Sequence, residues 1–183
     1  ALYNLLLNAC EAAPADGGDG GSTDTGQVGH AGNGTSTFTF DNSSDPNAPA
    51  QLTINNYARG GNGGSNQTGA AGTGGTGTVS TNVTSKNEIT ADSEAGFFTF
   101  GAMGGLYPLA SADGGNATGN TGVAGVGGAA TATTIATSTS NLCMASAEAV
   151  GGKGGSASGG ALGNGANGGS ATASVNATGY ISA

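Results

Sequence analysis

Apolar and polar residues alternate along several short stretches of the 183-residue chain. In residues 35–40 two Phe residues alternate with Thr, and in residues 171–177 Ala and Val alternate with polar side chains. Alternation with a period of two, in segments rich in Thr, β-branched and aromatic residues, is typical of strands. The polar segments 41–47 and 85–94 lie between neighbouring strands, as hairpin loops do. The predicted strands are residues 35–40, 51–55, 78–84, 96–100, 131–137 and 171–177.

A second pattern has a period of three. Gly occupies every third position through most of residues 60–77, with Asn66 as the interruption. Residues 17–34 repeat this run, and both runs match GGxGGSxxTGxxGxxGxG. A third copy keeps the TGxxGxxGxG half, from Thr118 to Gly127, and a fourth restores the GGxGGS opening. Phased copies of one run mark an internal repeat, so the sequence predicts a single elongated domain of Gly-rich units that alternate with strands. The domain covers residues 1–183, and its four Gly-rich units are residues 17–34, 60–77, 110–128 and 151–169.

Gly at every third position is the pattern of a left-handed three-fold extended helix, which rises about 3.1 Å per residue and lacks internal hydrogen bonds. Such a helix needs neighbours that bond its backbone, and a face of Gly lets them approach. Residues 60–77 would span about 56 Å if fully extended. We therefore expect a mostly β fold, an extended repeat of antiparallel strands stacked with these polyglycine II helices, with little or no α-helix. The glycines expected to pack are Gly17, Gly20, Gly26, Gly29, Gly32, Gly60, Gly63, Gly69, Gly72, Gly75, Gly119, Gly122, Gly125, Gly151, Gly154, Gly160 and Gly163.

The GGxGG and GxxGxxG spacings resemble those of the glycine-helix bundles of springtail antifreeze proteins and of the glycine-rich tips of some phage tail-fibre adhesins. The resemblance covers the four Gly-rich units and does not extend to the strand segments. It implies packed polyglycine II helices. In general character the chain is also similar to secreted surface proteins rich in Gly, Ala, Ser and Thr. Collagen fits less well, because its runs are rich in Pro and the four Pro residues here lie outside the runs.

The composition limits how the chain can pack. With 39 Gly, five Phe, four Tyr and no Trp, large side chains cannot fill a conventional core, so backbone must pack against backbone. The net charge is -8, from three basic and eleven acidic residues. Without a basic stripe, nucleic acids and anionic membranes are not expected as partners. No segment has the roughly 20 apolar residues of a membrane span.

Residue types that carry catalysis are sparse. His30 is the only histidine, and it lies in a Gly-rich unit without a Cys or Asp at triad spacing. Asp16, Asp19 and Asp24 are interpreted as solvated turn carboxylates rather than as a cation site. The sequence predicts no enzymatic activity, no metal site and no cofactor.

Cys10 and Cys143 are the only cysteines, and two interpretations remain open: a disulfide in an oxidising compartment, or two buried free thiols. The segments 4–12 and 141–149 resemble each other, so a disulfide would form only where these units are adjacent, within one chain or between two. Six Asn-x-Ser/Thr sequences are candidate N-glycosylation sites, although the abundance of Asn, Ser and Thr predicts several by chance. They begin at Asn33, Asn42, Asn66, Asn82, Asn116 and Asn176.

Together these features predict a secreted structural subunit that assembles with copies of itself into an extracellular filament or surface matrix. A chain that begins at Ala1 rather than Met fits removal of a secretion signal. Open strand edges favour pairing between copies. Candidate assembly contacts are Leu5, Leu6, Leu7, Phe97, Phe98, Phe100, Val175, Tyr180 and Ile181.

Two other functions remain open. An ice-binding protein would display a flat array of Thr, for which residues 131–139 are the best stretch. An adhesin would carry variable loops at the ends of the Gly helices and would bind cell-surface glycans.

Overall fold

The computed structural model describes residues 9–11, 15–95, 123–157 and 165–180, with the backbone alone for residues 9–11. The strand predicted at residues 96–100 lies outside the described residues. Within them the chain forms strands and no helix, which confirms the mostly β class. The strands are β1 (Ala9–Glu11), β2 (Ala15–Asp16), β3 (Gly34–Asp41), β4 (Gln51–Arg59), β5 (Gly77–Ser85), β6 (Glu88–Ala95), β7 (Ala130–Ser138), β8 (Cys143–Ala149) and β9 (Ala171–Thr178).

The strands form two sheets in which every hydrogen-bonded pair is parallel. Sheet 1 has the order β1-β4-β6-β8, with β2 also paired to β4, and sheet 2 has the order β3-β5-β7-β9. The predicted antiparallel arrangement is therefore wrong. From β2 onwards, consecutive strands lie in opposite sheets, so the short connections after β3, β5 and β7 cross between the sheets instead of closing hairpins within one. Each of these strands pairs with the strand two places along the chain, and this separation provides the long crossover that parallel strands require.

The chain thus builds four stacked rungs. We define a rung as one strand position of sheet 1, the Gly-rich unit that follows it, and the next strand, which lies in sheet 2. Rung 1 consists of β1, β2, the first Gly-rich unit and β3, and rung 4 consists of β8, the fourth unit and β9. Neighbouring rungs are about 4.8 Å apart, the spacing of paired strands.

Strand β6 replaces a predicted loop. The segment 85–94 was expected to separate strands because it is polar, yet Glu88–Ala95 is a strand of sheet 1. Its Ile89 and Ala91 point into the core and are almost fully buried, whereas Thr90 and Asp92 alternate on the outer side. The loop prediction was wrong because the acidic residues, which have low strand propensity, occupy outward positions of an alternating strand.

The two sheets pack face to face around modest side chains. Near the short connections the buried core is formed by Leu52, Ile54, Val83, Ile89, Ala91 and Ala136. Phe38 and Phe40 pack against this cluster and stack on each other with ring centroids 6.3 Å apart. Near the Gly-rich units the core is formed by Ala58, Val79, Ala95, Ala130 and Ala132. Side chains become smaller towards the Gly-rich units, where backbone packing takes over.

A line of hydrogen-bonded polar side chains crosses this core. Asn56 is fully buried, accepts a hydrogen bond from Ser36 Oγ at 2.5 Å, and donates to Thr81 Oγ1 at 3.0 Å. Ser93 Oγ also donates to Thr81 Oγ1, at 2.7 Å. These bonds join β3, β4, β5 and β6, so they fix the level at which the facing strands meet.

The Gly-rich units fold back on themselves instead of extending over the predicted span of about 56 Å. In the second unit, residues 60–65 leave the sheets, residues 66–69 turn, and residues 70–76 return. The two arms are joined by hydrogen bonds from Gly72 N to Gly64 O (2.8 Å) and from Gly75 N to Gly61 O (2.9 Å).

Asn66 makes the turn between these arms. Its Oδ1 accepts hydrogen bonds from the N–H groups of Thr68 (3.0 Å) and Gly69 (3.2 Å), and its Nδ2 donates to Gly26 O of the first unit (3.0 Å). In the first unit the turn contains Gly26, whose φ of 131° lies in the left-handed region that favours glycine. The one interruption of the three-residue period is therefore the point at which the chain reverses.

Arms of successive units bond to each other at three-residue intervals. Gly17 N and Gly20 N donate to Arg59 O (2.8 Å) and Asn62 O (2.7 Å), and Gly61 N donates to Gly32 O (3.0 Å). The close approach leaves no room for side chains. An added Cβ would lie within 2.3 Å of a backbone oxygen at Gly17, Gly20, Gly60, Gly63, Gly72, Gly75, Gly151 and Gly154.

The remaining predicted packing glycines differ in their surroundings. At Gly29 and Gly32 a Cβ would lie 2.7 Å and 3.1 Å from backbone nitrogens of the outgoing arm. At Gly69 a Cβ would approach only the side chain of Asn66, at 2.9 Å. Gly125 O accepts a hydrogen bond from Gly155 N at 2.9 Å. Gly119, Gly122, Gly160 and Gly163 lie outside the described residues.

The third unit is shifted from its sequence alignment. The pattern TGxxGxxGxG places Gly127 opposite Gly77, whereas the structure pairs Gly77 with Ala130. The difference is one three-residue period, and a repeat of three cannot distinguish registers that differ by one period.

Candidate assembly surfaces

The stack of rungs ends in two different faces. We define the N-terminal face as the open side of rung 1, formed by β1, β2, β3 and residues 17–22. The C-terminal face is the open side of rung 4, formed by β8, β9 and the described parts of the fourth Gly-rich unit. Among the described strands, both sheets end at each face in a strand that is paired on one side only. Such edge strands are the places where a sheet can be extended by a further strand.

On the N-terminal face, Gly18 and Gly21 have open space beside them. Added Cβ atoms there would meet no atom within 4 Å among the described residues, and both glycines are exposed. Their counterparts one rung on, Gly61 and Gly64, are buried, and their added Cβ atoms would lie 2.2 Å from Gly18 O and 2.1 Å from Gly21 O. The first unit therefore carries the same side-chain-free surface on which the second unit packs against the unit before it. Among the described residues, no unit packs on this surface of the first unit.

The C-terminal face is the most exposed part of the described structure. Every residue of β9 is exposed. Val175 is 47 % exposed, although its pairing with Thr134 places it on the inward side of sheet 2, and Tyr180 is 65 % exposed. Both are predicted assembly contacts, and both lie at this face. The other predicted contacts, Leu5, Leu6, Leu7, Phe97, Phe98, Phe100 and Ile181, lie outside the described residues.

The outer side of sheet 2 carries rows of small polar side chains, interrupted by Ile135 in β7. One row across the four strands consists of Thr35, Thr78, Thr131 and Thr172. The next row consists of Thr37, Ser80, Thr133 and Ser174. Neighbours are about 4.8 Å apart along a row, and rows are about 6.7 Å apart. Of the stretch predicted for an ice-binding surface, Thr131, Thr133 and Thr137 lie in the array, whereas Thr134 points inward and is fully buried.

The two cysteines lie at opposite edges of sheet 1. Cys10 pairs with Ile54 in β4, and Cys143 lies in β8, on the far side of β6. Three strand spacings separate the edges by about 14 Å, and a disulfide needs Cα atoms within about 7 Å. The predicted disulfide therefore cannot form within one chain, and Cys143 carries a free thiol. Burial raises the pKa of this thiol, and hydrogen bonding by Ser138 and Thr178 partly opposes the increase.

The candidate glycosylation sites differ in accessibility. Asn66 is 1 % exposed and holds the turn described above, so its side chain cannot accept a glycan in the folded chain. Asn42 is also buried, and Asn116 lies outside the described residues. The exposed candidates are Asn33, Asn82 and Asn176.

The acidic residues near the first Gly-rich unit connect rungs. Asp16 forms a two-bonded ion pair with Arg59, with a shortest distance of 2.7 Å. Asp19 Oδ1 accepts a hydrogen bond from Asn62 N, and Asp24 Oδ1 accepts one from Gln67 Nε2, both at 2.7 Å. These three carboxylates of rung 1 thus contact rung 2, a use that the interpretation as solvated turn residues missed.

His30 lies at a contact between two rungs. His30 Nδ1 accepts a hydrogen bond from Thr73 N at 3.3 Å, which again links rung 1 to rung 2. Hydrogen bonds from the N–H and hydroxyl of Ser43 lower the pKa of the exposed Asp41 in the turn after β3. In the part of the chain that the structure describes, no three His, Cys, Asp or Glu residues are close enough to hold a metal ion.

The sequence predicts that the doubled glycines of GGxGG clear two of the three faces of a helix packed between neighbours, but it does not predict which neighbour each face meets. In the second unit, Gly60 and Gly63 face the returning arm of their own unit, and Gly61 and Gly64 face the preceding unit.

Comparisons of the chain with protein-family models, with curated proteins and with solved structures found no match. The described residues contain no helix suited to crossing a membrane.

Proposed function

We propose that the chain is a secreted structural subunit, without enzymatic activity, that assembles end to end with its own copies into an extracellular filament or matrix. The observation that carries this proposal is the pair of open faces. Each face presents edge strands of two parallel sheets, and one of them exposes β9 along its whole length. Exposed edge strands of this length readily pair with further strands, so proteins that stay monomeric usually protect them.

The parallel arrangement favours an open polymer over a closed dimer. The two faces are made from different strands, so an interface between them would be heterologous. Heterologous contacts give rings where the rotation closes and filaments where it does not. A stack of parallel rungs is continued by a translation along the stacking direction, which does not close.

We propose further that the arms of the Gly-rich units are left-handed three-fold helices. Hydrogen bonds at three-residue intervals support this geometry, as in the pair from Gly17 N to Arg59 O and from Gly20 N to Asn62 O. Inter-arm bonds then substitute for the bonds that a three-fold helix lacks internally. Such a lattice of backbone bonds suits a structural material, because it needs few large side chains.

Negative-stain electron microscopy and sedimentation of the purified chain over a range of concentrations test the proposed assembly. We expect unbranched filaments above a critical concentration. Diffraction from aligned filaments should contain a reflection at about 4.8 Å along the filament axis, from the stacked strands. A chain that stays monomeric at all concentrations, in seeded and unseeded samples, would refute the proposed function.

The extracellular location is part of the proposal and needs its own test. It is supported by the exposed sequons at Asn82 and Asn176. We expect immunolabelling of intact cells of the source organism to find the chain outside the cell envelope. Labelling confined to permeabilised cells would contradict this location.

The Thr array on sheet 2 favours ice binding as a second candidate function. Its rows of Thr and Ser, in register across a parallel sheet, supply the kind of hydroxyl array expected of an ice-binding protein. Thermal hysteresis of the purified chain tests this candidate. Thr131→Tyr should abolish the hysteresis, because the large Tyr side chain would project from the Thr array and keep ice away from it. Thr53→Tyr, on the outer side of sheet 1, should preserve the hysteresis. Freezing curves without hysteresis for the unmodified chain would dismiss this candidate.

A further inference from the structure

We infer that the C-terminal face binds the N-terminal face of the next copy in a single register, with β9 beside β3 of that copy and Lys153 beside its Asp19. This inference rests on the proposed function, because it specifies the interface through which the subunits would assemble. Ala171 then lies opposite Gly34 of the next copy, which continues the row that Gly34, Gly77, Ala130 and Ala171 form within one chain.

Charge complementarity supports this register. Gly17, Gly60 and Gly151 occupy equivalent positions, since an added Cβ at each would lie within 2.1 Å of a carbonyl oxygen of the returning arm. Two residues further on, the units carry Asp19, Asn62 and Lys153. Stacking the first unit of one copy on the fourth unit of another therefore places an acid beside one of only three cationic residues of the chain. Opposite charges across an interface favour one register over others.

The outer residues of β9 also match those of a strand that already pairs with β3. Within the chain, β3 lies beside β5, whose outer residues are Thr78, Ser80, Asn82 and Thr84. The outer positions of β9 carry the same types in the same order, Thr172, Ser174, Asn176 and Thr178. On its outward side, strand β3 of the next copy would thus meet the same types of cross-strand neighbour in β9 as it meets in β5. Cross-strand pairs of this kind stabilise a sheet and fix its register.

The inward sides of the two faces are complementary in size. In this register Phe38 of the next copy lies opposite Val175, and Phe40 lies opposite Ala177. Both Phe side chains are only partly buried in the subunit, and β9 offers smaller side chains beside them. In sheet 1, Ala15, Ala58, Ala95 and Ala149 form an inward row of alanines. Ala15 of the next copy continues this row beyond Ala149.

The Gly-rich surfaces supply the remaining contact. Gly18 and Gly21 of the next copy would pack on the fourth unit in the same way that Gly61 and Gly64 pack on the first unit within one chain.

Four rungs per subunit at about 4.8 Å per rung predict an axial rise of about 19 Å. A filament reconstruction that gives another rise would refute this stacking while leaving the proposed assembly in place.

Substitutions at Gly21 and Val175 test which faces meet. Gly21→Val should leave the subunit folded, because its Cβ has open space, yet it should raise the critical concentration at least about tenfold by obstructing the N-terminal face. Val175→Lys should do the same at the C-terminal face. The folded state of both variants is checked by circular dichroism and melting. Each variant keeps one competent face, so a mixture of the two should form a 1:1 dimer that grows no further.

The outcomes separate this inference from the proposed function. Unmodified chains that never polymerise would refute the function itself. Filaments from the unmodified chain, together with folded Gly21→Val that polymerises equally well, would refute the inferred interface alone. A mixture of variants that stays monomeric would also refute it.

A cysteine pair tests the register. Thr37→Cys and Ser174→Cys, combined with replacement of both native cysteines by Ala, place two outward thiols opposite each other across the junction. Within one chain the same positions are about 14 Å apart, so only a contact between copies can join them. We expect a ladder of covalent oligomers on oxidation of filaments. The matched pair Asp41→Cys and Ser174→Cys, offset by four residues, should give none, and equal cross-linking of both pairs would refute a single register.

Charge reversal tests the contact between Lys153 and Asp19. Lys153→Glu should raise the critical concentration about 2- to 5-fold, which is typical of losing one exposed pair. The exchanged variant, with Asp19→Lys and Lys153→Asp together, should assemble better than Asp19→Lys alone, because both variants lack the hydrogen bond from Asn62 N to Asp19 and only the exchanged one restores the opposite charges. An exchanged variant that assembles no better than Asp19→Lys alone would contradict the contact.

Discussion

Gly72→Ala measures how strongly the stability of this fold depends on contacts between bare backbones. The added methyl would lie 2.3 Å from Gly29 O and 2.8 Å from Gly64 N. These two atoms are joined by a hydrogen bond of 3.2 Å between the second unit and the first. The methyl would thus occupy the space of an existing bond, in a buried region where the neighbours are backbone and cannot rotate away.

The expected cost follows from two effects. Overpacking of a close-packed site costs about 1–3 kcal/mol, and loss of a hydrogen bond costs about 0.5–1.5 kcal/mol. Their sum, about 1.5–4.5 kcal/mol, is a large part of the roughly 5–15 kcal/mol that stabilises a typical domain. For a chain of this size, a loss of that amount lowers Tm by about 3–18 °C.

Thermal and urea unfolding of Gly72→Ala and Gly21→Ala provide the matched comparison, measured on monomers below the critical concentration. Both variants introduce the same methyl into a GxxG pattern, but a Cβ at Gly21 meets nothing within 4 Å among the described residues. Gly21→Ala should retain or slightly increase the stability, since Ala restricts the unfolded chain. Equal melting temperatures for the two variants would refute the backbone packing described for the second unit.

Three further changes test other parts of the fold. Ile89→Ala, at a fully buried core position, should cost about 2–5 kcal/mol in urea unfolding, whereas Ile135→Ala, at a position 39 % exposed, should cost far less. Asn56→Ala should cost about 1–3 kcal/mol by leaving Ser36 Oγ without its acceptor, and a double variant with Ser36→Ala should cost less than the sum of the two single changes. Cys143 should react with iodoacetamide more slowly than an unstructured cysteine peptide at pH 8, because its raised pKa lowers the thiolate fraction, and denaturation should remove the difference. Equal rates in the folded chain and the peptide would contradict the burial of this thiol.

The sequence predicted one sheet much better than the other. The predicted strands 35–40, 78–84, 131–137 and 171–177 all lie in sheet 2, within β3, β5, β7 and β9. Their outward positions carry mainly Thr, Ser and Asn, so strand propensity and alternation agree. In sheet 1 the outward positions of β6 and β8 include Glu88, Asp92 and Glu148, and this polar content concealed both strands.

The pairing of strands could not be read from alternation. A strand with one buried side satisfies the same pattern in a hairpin as in two facing parallel sheets. The short connection at residues 42–50 suggested a hairpin, but it leads from β3 in sheet 2 to β4 in sheet 1. The Gly-rich units select the arrangement of two facing parallel sheets, because the packing of each unit on the next brings alternate strands side by side.

The assembly surfaces were visible in the sequence only as a surplus of glycine. A three-residue period fixes which side of an arm is bare, but every shift by one period preserves it, so the period gave neither the turn at Asn66 nor the register of the third unit. The doubled glycines of GGxGG carry more information, because the second Gly of each pair is needed only where a preceding unit packs. Gly61 and Gly64 meet such a unit within the chain, and Gly18 and Gly21 meet none among the described residues. If a second copy fills that space, side chains at Gly18 and Gly21 should be harmless to the monomer and damaging to the filament. An unaffected monomer together with a lost filament would show that these glycines pack between subunits and not within one subunit.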